Sequence, residues 1–154
     1  QNLDFFSGAY GLTGKSKKDA IETMLDIFRL RNLGNVNSAV LSLGYKQRLA
    51  LACAIMHKPQ VLFLDEPTSG VDPITRKEFW LHINCLAQRG ISVVVTTHFM
   101  AEAENCDEIS LIYKGKIRAS GTPDKLKNLC KNCQNPTLEQ AFVSIVKNVD
   151  SDEN

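Results

Sequence analysis

The first third of the chain carries apolar residues at helical spacing. Apolar positions recur three and four residues apart over 3–10, from 16 or 17 to 28, and over 42–56, which predicts three amphipathic helices. Ser42 stands at the start of the third pattern, where a hydroxyl can cap a helix. Lys58-Pro59 ends that pattern because the residue before a proline avoids helical backbone angles.

The pattern changes at Val61, where four apolar residues run directly into Asp65 and Glu66. An unbroken apolar run of this length predicts a strand buried on both faces, as in a parallel sheet. Pro67 follows at once and ends the strand, because proline cannot donate to the hydrogen-bond ladder.

A helix and a second strand follow. Asp72-Pro73 combines a capping residue with a proline at the first helical position, and residues 91–97 are rich in β-branched side chains. Strand, helix and strand in this order predict a right-handed βαβ unit. If the strands are neighbours, about 4.8 Å apart, their carboxyl ends place Asp65, Glu66 and His98 at one edge of the sheet.

The remaining residues predict smaller elements. Strands at 109–113 and 116–120 flank a Lys-Gly turn, Thr122-Pro123 starts a helix, and 137–146 is amphipathic. The acidic residues 150–154 predict a short disordered tail.

Composition excludes several classes of protein. The chain has 154 residues, 44% of them apolar and 23% charged, which is ordinary for one soluble globular domain. Its net charge of +1 gives no support for nucleic acid or an anionic membrane as the main partner. No apolar run reaches the roughly 18 residues of a membrane span. The odd count of five cysteines predicts reduced thiols, and Cys130 and Cys133 form a lone CxxC pair, which is half of a zinc site without its other half.

Two adjacent carboxylates at the carboxyl end of a central strand indicate a site for a cation and a nucleotide, since buried charges need compensation. One carboxylate would serve Mg²⁺ and the other a water molecule. No convincing phosphate-binding loop accompanies them. Residues 9–16 read as GxxxxGKS with alanine in place of the first glycine, but Asn2 to Ser7 make a poor buried strand before it. A turn that ends in a helix cap is the simpler interpretation.

Four segments, in this order, resemble the motifs of the ATP-binding domain of ABC transporters. They resemble the signature, the Walker B strand, the D-loop and the switch histidine, at 41–48, 62–67, 69–73 and 96–98. Residues 79–80, 102–107 and 120–123 further resemble ATP-binding subunits of ABC-2-type drug exporters. The resemblance implies an α/β fold, the C-terminal part of a P-loop NTPase-like ABC ATPase domain. Residues 1–57 would belong to the helical subdomain with its signature helix, 58–149 to the parallel βαβ core with terminal hairpin and helices, and 150–154 to the tail.

The resemblance implies catalytic roles at the sheet edge. Asp65 would hold Mg²⁺, through water, and Glu66 would polarise the water that attacks ATP. His98 would contact the γ-phosphate.

The resemblance also implies an interface with a second ATP-binding domain. Ser42 and Gly44 would bind the γ-phosphate of ATP held by the opposite subunit, and a helix N-terminus suits an anion. Asp72 would lie across the interface, although helix capping alone also explains it. Leu43 and Tyr45 depart from the usual LSGGQ pattern. Leu43 adds a side chain where the backbone would approach closely, which would weaken or shift the signature contact.

The implied function is the ATPase part of an ABC exporter, with ATP and Mg²⁺ bound between two such domains, identical or in tandem. The protein would bind integral membrane permease subunits at the cytoplasmic face of a membrane. No nucleic-acid partner is expected. Without a Walker A loop the chain would be inactive alone. Two alternatives stay open: a degenerate regulatory half-domain, and a soluble ABC ATPase of translation or repair.

Overall fold

The computed structural model describes residues 1–130 and 135–152. The chain forms two compact units, residues 1–96 and 97–154. This division does not coincide with the boundary predicted at residue 57, because the first unit holds the N-terminal helices together with both strands of the βαβ unit. The boundary between helical subdomain and ATPase core stays a prediction.

The first unit begins with helices, as its apolar spacing predicts. Its elements are the helices α1 (Asn2–Ala9), α2 (Gly14–Ile27), α3 (Leu43–Ile55) and α4 (Pro73–Gln88), short 3₁₀ turns at Arg31–Leu33 and Ser38–Val40, and the strands β1 (Val61–Asp65) and β2 (Ser92–Thr96). Helix α2 begins at Gly14, earlier than predicted, with Thr13 in an extended conformation before it.

The two strands are neighbours and run parallel, which confirms the βαβ unit. Their register pairs Val61 with Ser92 and Asp65 with Thr96, and α4 forms the crossover. Both strands therefore end at the same edge, at Asp65 and Thr96.

The prediction that β1 is buried on both faces is wrong within this chain. Leu62 is 5% exposed, whereas Phe63 is 74% exposed, and Val61 and Val94 are about half exposed. The described strands of this unit form a sheet of two, and its elements bury only one face of β1. One face of the apolar run in β1 is thus packed against the unit, and the other face is exposed.

The core of the first unit lies among its helices. Phe79 and Trp80 of α4 are buried, as their aromatic side chains predict. Of the apolar residues spaced for one face of the helix predicted over 42–56, Ala52, Cys53 and Met56 are buried and Leu49 is half-buried. Further buried apolar residues include Met24, Phe28, Leu30, Leu51, Ile55, Ile83 and Leu86.

The second unit combines a hairpin with helices. Its elements are α5 (Met100–Ala103), β3 (Ile109–Tyr113), β4 (Lys116–Gly121), α6 (Pro123–Lys127) and α7 (Leu138–Asp152). The predicted hairpin is confirmed, and Lys114 and Gly115 both have positive φ, as tight primed turns require. A cluster of buried apolar residues forms its core: Ala103, Ile109, Leu111, Leu126 and Leu138.

Helix α7 is longer than its predicted range. Thr137 and Gln140 cap its start reciprocally, at 3.0 and 3.2 Å, in the pattern of a capping box. Near its end, Asp150 accepts a hydrogen bond from the Tyr113 hydroxyl and pairs with Lys114 at 2.8 Å. The disordered tail predicted from residue 150 is therefore wrong as far as Asp152, and residues 153 and 154 lie outside the described residues.

The cysteines divide into two groups. Cys53, Cys85 and Cys106 are free thiols, as predicted, whereas Cys130 is disulfide-bonded, so the expectation of reduced thiols fails there. Cys133, the other half of the CxxC pair, lies outside the described residues.

Candidate active site

Thr96 contacts both acidic residues at the end of β1, Asp65 through its carboxylate and Glu66 through its backbone. Its hydroxyl donates to Asp65 Oδ1 at 2.5 Å, and its hydroxyl and carbonyl oxygens both lie 3.1 Å from the backbone nitrogen of Glu66. These bonds exist because the register pairs Asp65 with Thr96. The structure thus fixes Asp65 and Glu66 side by side where the parallel strands end.

Glu66 has a left-handed backbone, with φ of +46°. For a residue with a side chain this conformation costs on the order of 1–3 kcal/mol, and it is maintained only where the surroundings impose it. Here the bond to Thr96 holds the residue on one side and the bond from Ser69 N to Glu66 O, at 3.1 Å, holds it on the other. The chain therefore turns sharply at Glu66, directly after the strand.

The start of α3 carries the residues of the predicted signature. Ser42 stands at the N-cap position, as predicted, with extended backbone angles. Its hydroxyl makes no capping hydrogen bond, so the first N–H groups of α3 have no partner from that side chain. An anion placed there would meet free backbone donors and the positive end of the helix dipole.

Gly44 and Gly70 bring the starts of α3 and α4 together. A Cβ on Gly44 would lie 2.7 Å from the Thr75 methyl group, and one on Gly70 would lie 3.1 Å from Leu43 Cδ2. The two segments line a cleft of about 350 Å³. This cleft collects three of the predicted binding residues, namely Ser42, Gly44 and Asp72.

Asp72 caps α4. Capping was one of its two predicted roles, and a contact across the interface between two ATP-binding domains was the other. Its carboxylate accepts hydrogen bonds from the backbone N–H groups of Ile74 and Thr75, at 3.1 and 3.0 Å. The Thr75 hydroxyl first, and then these N–H groups, hold the pKa of Asp72 below its ordinary value. The residue lies in the cleft beside Gly44 and is exposed, so capping leaves its other face open.

Lys46 and Arg48 are basic residues near the signature, and their residue type predicts a solvated helix face, but Arg48 is largely buried. Its guanidinium forms an ion pair with Glu78 of α4, lies 5.3 Å from the centroid of the Tyr45 ring, and is 15% exposed. Lys46 is exposed, as predicted.

His98 belongs to the second unit, so its convergence with Asp65 and Glu66 stays a prediction. Its ring is exposed and lies 4.0 Å from that of Phe99. The turn before α5 is fixed by Thr97, whose hydroxyl donates to buried Glu102 at 2.8 Å and accepts from Phe99 N at 3.0 Å.

The donor set at Asp65 suits Mg²⁺. This ion prefers oxygen ligands, retains several waters and takes one or two carboxylates together with phosphate oxygens. Asp65 is exposed and offers such a carboxylate, oriented by Thr96. No group of three or more potential metal ligands occurs in the described part of the chain. A site that relies on phosphate and water is compatible with that finding.

Sequence reasoning missed three residues of this site: Thr96, Thr75 and Glu78. Thr96 could have been found, because the predicted strand register places it beside Asp65. The other two act through contacts between α3 and α4, and the sequence carries no signal for them.

The chain is similar to ATP-binding proteins of ABC transporters. The family model described as ABC transporter matches residues 1–69. Over 154 residues the chain is 54% identical to a probable multidrug ABC transporter ATP-binding protein, YbhF, of Escherichia coli. It is 40% identical over 127 residues to the Nod factor export ATP-binding protein I of Sinorhizobium fredii.

These alignments cover most of the chain but a smaller part of the relatives. They include 99% and 82% of the chain, which spans 27% of the E. coli protein and 37% of the S. fredii protein.

The fold agrees with the sequence relationship. The structure of an ATP-binding subunit of an ABC transporter superposes with a TM-score of 0.79 at 27% identity, over 94% of this chain and 60% of that one. The described helices include none long and apolar enough to cross a membrane. The chain thus has the α/β fold of ABC ATPase domains and belongs to the family of ABC transporter ATP-binding proteins.

Proposed function

We propose that this chain is the Walker B and signature part of the ATP-hydrolysing subunit of an ABC exporter. The observation that carries the proposal is the pair of acidic residues Asp65 and Glu66 at the carboxyl end of two parallel strands. Thr96 holds the carboxylate of Asp65 and the backbone of Glu66 there. Ligands of open α/β sheets bind at that edge. The chain spans 27% of its E. coli relative, so the proposal concerns the activity of a complete domain.

In that activity the two carboxylates have different tasks. Asp65 would hold Mg²⁺, which supplies charge neutralisation to the phosphates when bound. Glu66 would accept a hydrogen bond from the attacking water and orient it. The left-handed turn at Glu66 supports this division, because it directs the chain away from β1 immediately after Asp65.

The cleft between α3 and α4 would serve a second ATP-binding domain. The N–H groups at the start of α3, with Ser42 and Gly44, would bind the γ-phosphate of ATP held by that domain. Thr75 fills the space beside Gly44, so the backbone there is the surface that a phosphate would approach. Asp72 would contact the partner domain with the face that capping leaves open.

His98, at the start of the second unit, would contact the γ-phosphate of ATP. Its exposed ring could donate a hydrogen bond to a phosphate oxygen.

The partners follow from the relatives. Two relatives are ATP-binding proteins, one of a probable multidrug ABC transporter and one of Nod factor export. By analogy, the subunit would act on the cytoplasmic face of a membrane, paired with a second ATP-binding domain and joined to permease subunits. The near-neutral charge is in keeping with protein rather than nucleic-acid partners.

A non-catalytic regulatory role is the second candidate. Leu43 and Tyr45 replace residues of the usual signature, and Leu43 packs near Gly70. Such a domain would bind a partner's ATP without hydrolysing its own. The two candidates differ in whether Glu66 is needed for turnover.

The test is Glu66→Gln in the complete polypeptide that contains this chain. We expect nucleotide binding to persist and steady-state ATPase activity to fall by about 10²–10⁴-fold, the usual contribution of a general base. Glu22→Gln, at an exposed carboxylate of α2, is the matched control and should leave activity unchanged. Wild-type turnover in Glu66→Gln would overturn the base assignment. An inactive wild-type protein that still tightens ATP binding by its partner would favour the regulatory role.

The 154-residue chain by itself supplies a second measurement. We expect no ATPase activity from it, because none of its segments makes a convincing Walker A loop. Full activity of the isolated chain would contradict that expectation.

A further inference from the structure

Arg48 connects two helices whose N-termini form the cleft. It lies one turn after Gly44 on α3, and its ion-pair partner Glu78 lies on α4, one turn after Thr75. Its guanidinium also rests against the ring of Tyr45, which replaces the usual glutamine of the signature. One side chain therefore contacts both the signature segment and the helix that Asp72 caps.

The burial of Arg48 distinguishes this contact from a surface ion pair. Exposed pairs contribute little to stability because water screens them and the side chains stay mobile. The Arg48 side chain is 15% exposed, so its charge depends on Glu78 and the Tyr45 ring for compensation. Arg31, by contrast, is 51% exposed and pairs with Glu22 and Asp26 at the surface.

Two further contacts join the same pair of helix starts. The Thr75 methyl group occupies the space beside Gly44, and the Leu43 side chain lies against Gly70. Together with the Arg48–Glu78 pair, they fix the start of α3 to the start of α4. Ser42 and Asp72 both line the cleft, one from each of the two joined segments.

We propose that Arg48 is a positioning residue that makes the signature segment and the Asp72 segment one rigid surface, with Tyr45 as the platform for its guanidinium. This inference rests on the proposed function, in which that surface meets the ATP of a partner domain. A signature segment that moved independently would present its N–H groups to the phosphate in varying geometry. Misplaced N–H groups of the signature segment would reduce turnover, but they would leave nucleotide binding at the domain's own site unchanged.

The test uses the complete polypeptide with Arg48→Gln, Glu78→Gln and the exchanged pair Arg48→Glu with Glu78→Arg. We expect backbone hydrogen exchange to rise together at residues 43–46 and 74–76 in each single variant. We expect kcat to fall about 10- to 100-fold, while nucleotide affinity of the unpaired domain stays unchanged. The exchanged pair should recover part of both losses. Arg31→Gln is the matched control, since it removes an arginine ion pair of the same unit away from the cleft.

Tyr45 gives a second series that does not depend on the folding of the Arg48 variants. Tyr45→Leu should raise exchange in both segments, whereas Tyr45→Phe, which keeps the ring, should not. A rise confined to one segment, or a wild-type kcat in Arg48→Gln, would overturn the proposal. If ATPase activity is absent from the wild type, the proposed function fails, and the exchange data still decide whether Arg48 joins the two segments.

Discussion

His82 of α4 is the histidine whose protonation the fold opposes. Burial first, and then the positive charges of Arg48 and Arg29, lower its pKa, while Glu78 opposes them. Its ring packs 4.8 Å from that of Phe28. The unfolded chain, with an ordinary histidine pKa of about 6.5, therefore takes up the proton first as the pH falls. The contribution of neutral His82 to stability is complete above that pH and declines below it.

We expect His82→Gln to flatten this part of the stability profile. Urea unfolding at about pH 7.5 and pH 5.5 measures how the free energy of unfolding changes with pH. One titrating group can change it by at most roughly 1.4 kcal/mol per pH unit. We expect His82 to contribute less than this limit in the wild type, because the residue is only half-buried. His57→Gln is the control, since His57 is exposed and stacks on Tyr10. An unchanged slope in His82→Gln would show that other groups cause the pH dependence.

Single residues show what the sequence could and could not reveal. Asp72 and Thr122 were predictable as caps, because a cap and the N–H groups it binds lie within four residues. Ser42 was placed correctly, but its hydroxyl does not cap. Arg48 was predicted as solvated because its partner Glu78 is 30 residues away, and only the packing of α3 on α4 brings them together.

At the scale of elements, the contact between α3 and α4 determines which residue position 44 accepts. Helix propensity alone favours alanine over glycine there, by up to about 1 kcal/mol. The packing of α3 on α4 disfavours alanine at this position, since a Cβ at Gly44 would lie 2.7 Å from the Thr75 methyl group. Thr75 also donates to Asp72, so it cannot move without disturbing that cap.

We therefore expect Gly44→Ala to destabilise the chain by about 1–3 kcal/mol, the usual cost of overpacking. The double variant Gly44→Ala with Thr75→Ser should recover most of that loss, because serine lacks the methyl group and keeps the hydroxyl. Gly8→Ala is the control: that glycine of α1 has only the Lys17 amine nearby, at 3.9 Å, and should be neutral or stabilising. Chemical denaturation measures all three. A stable Gly44→Ala would mean that α3 and α4 separate easily.

The elements of the second unit were predicted from local patterns. The Lys-Gly turn, the Thr122 cap and the apolar spacing of α7 each involve neighbours in sequence. Local patterns did not predict where α7 ends, because its last turn is stabilised by contacts of Asp150 with Tyr113 and Lys114 of the hairpin. A contact across 37 residues thus extends the helix into a segment whose acidic composition predicts disorder.

At the scale of the whole molecule, β1 has more apolar surface than this chain covers. Phe63, Val61 and Val94 are exposed on the sheet of two strands, although the sequence of β1 is typical of a strand buried on both faces. The chain spans 27% of its E. coli relative and 60% of the superposed ATP-binding subunit. We infer that further residues of a complete domain cover this face, so the prediction of a doubly buried strand applies to that domain.

Phe63→Lys should consequently have opposite effects in two contexts. In the isolated 154-residue chain Phe63 is 74% exposed, so the substitution should raise solubility without loss of stability. In the complete polypeptide it should destabilise by more than about 3 kcal/mol, because it would bury a charge in place of an aromatic ring. Gln88→Lys adds the same charge at the exposed end of α4 and controls for charge alone. Denaturation and solubility measurements on both forms decide the matter: if the complete polypeptide tolerates Phe63→Lys as well as the isolated chain does, this face of β1 stays open to solvent in the assembled protein.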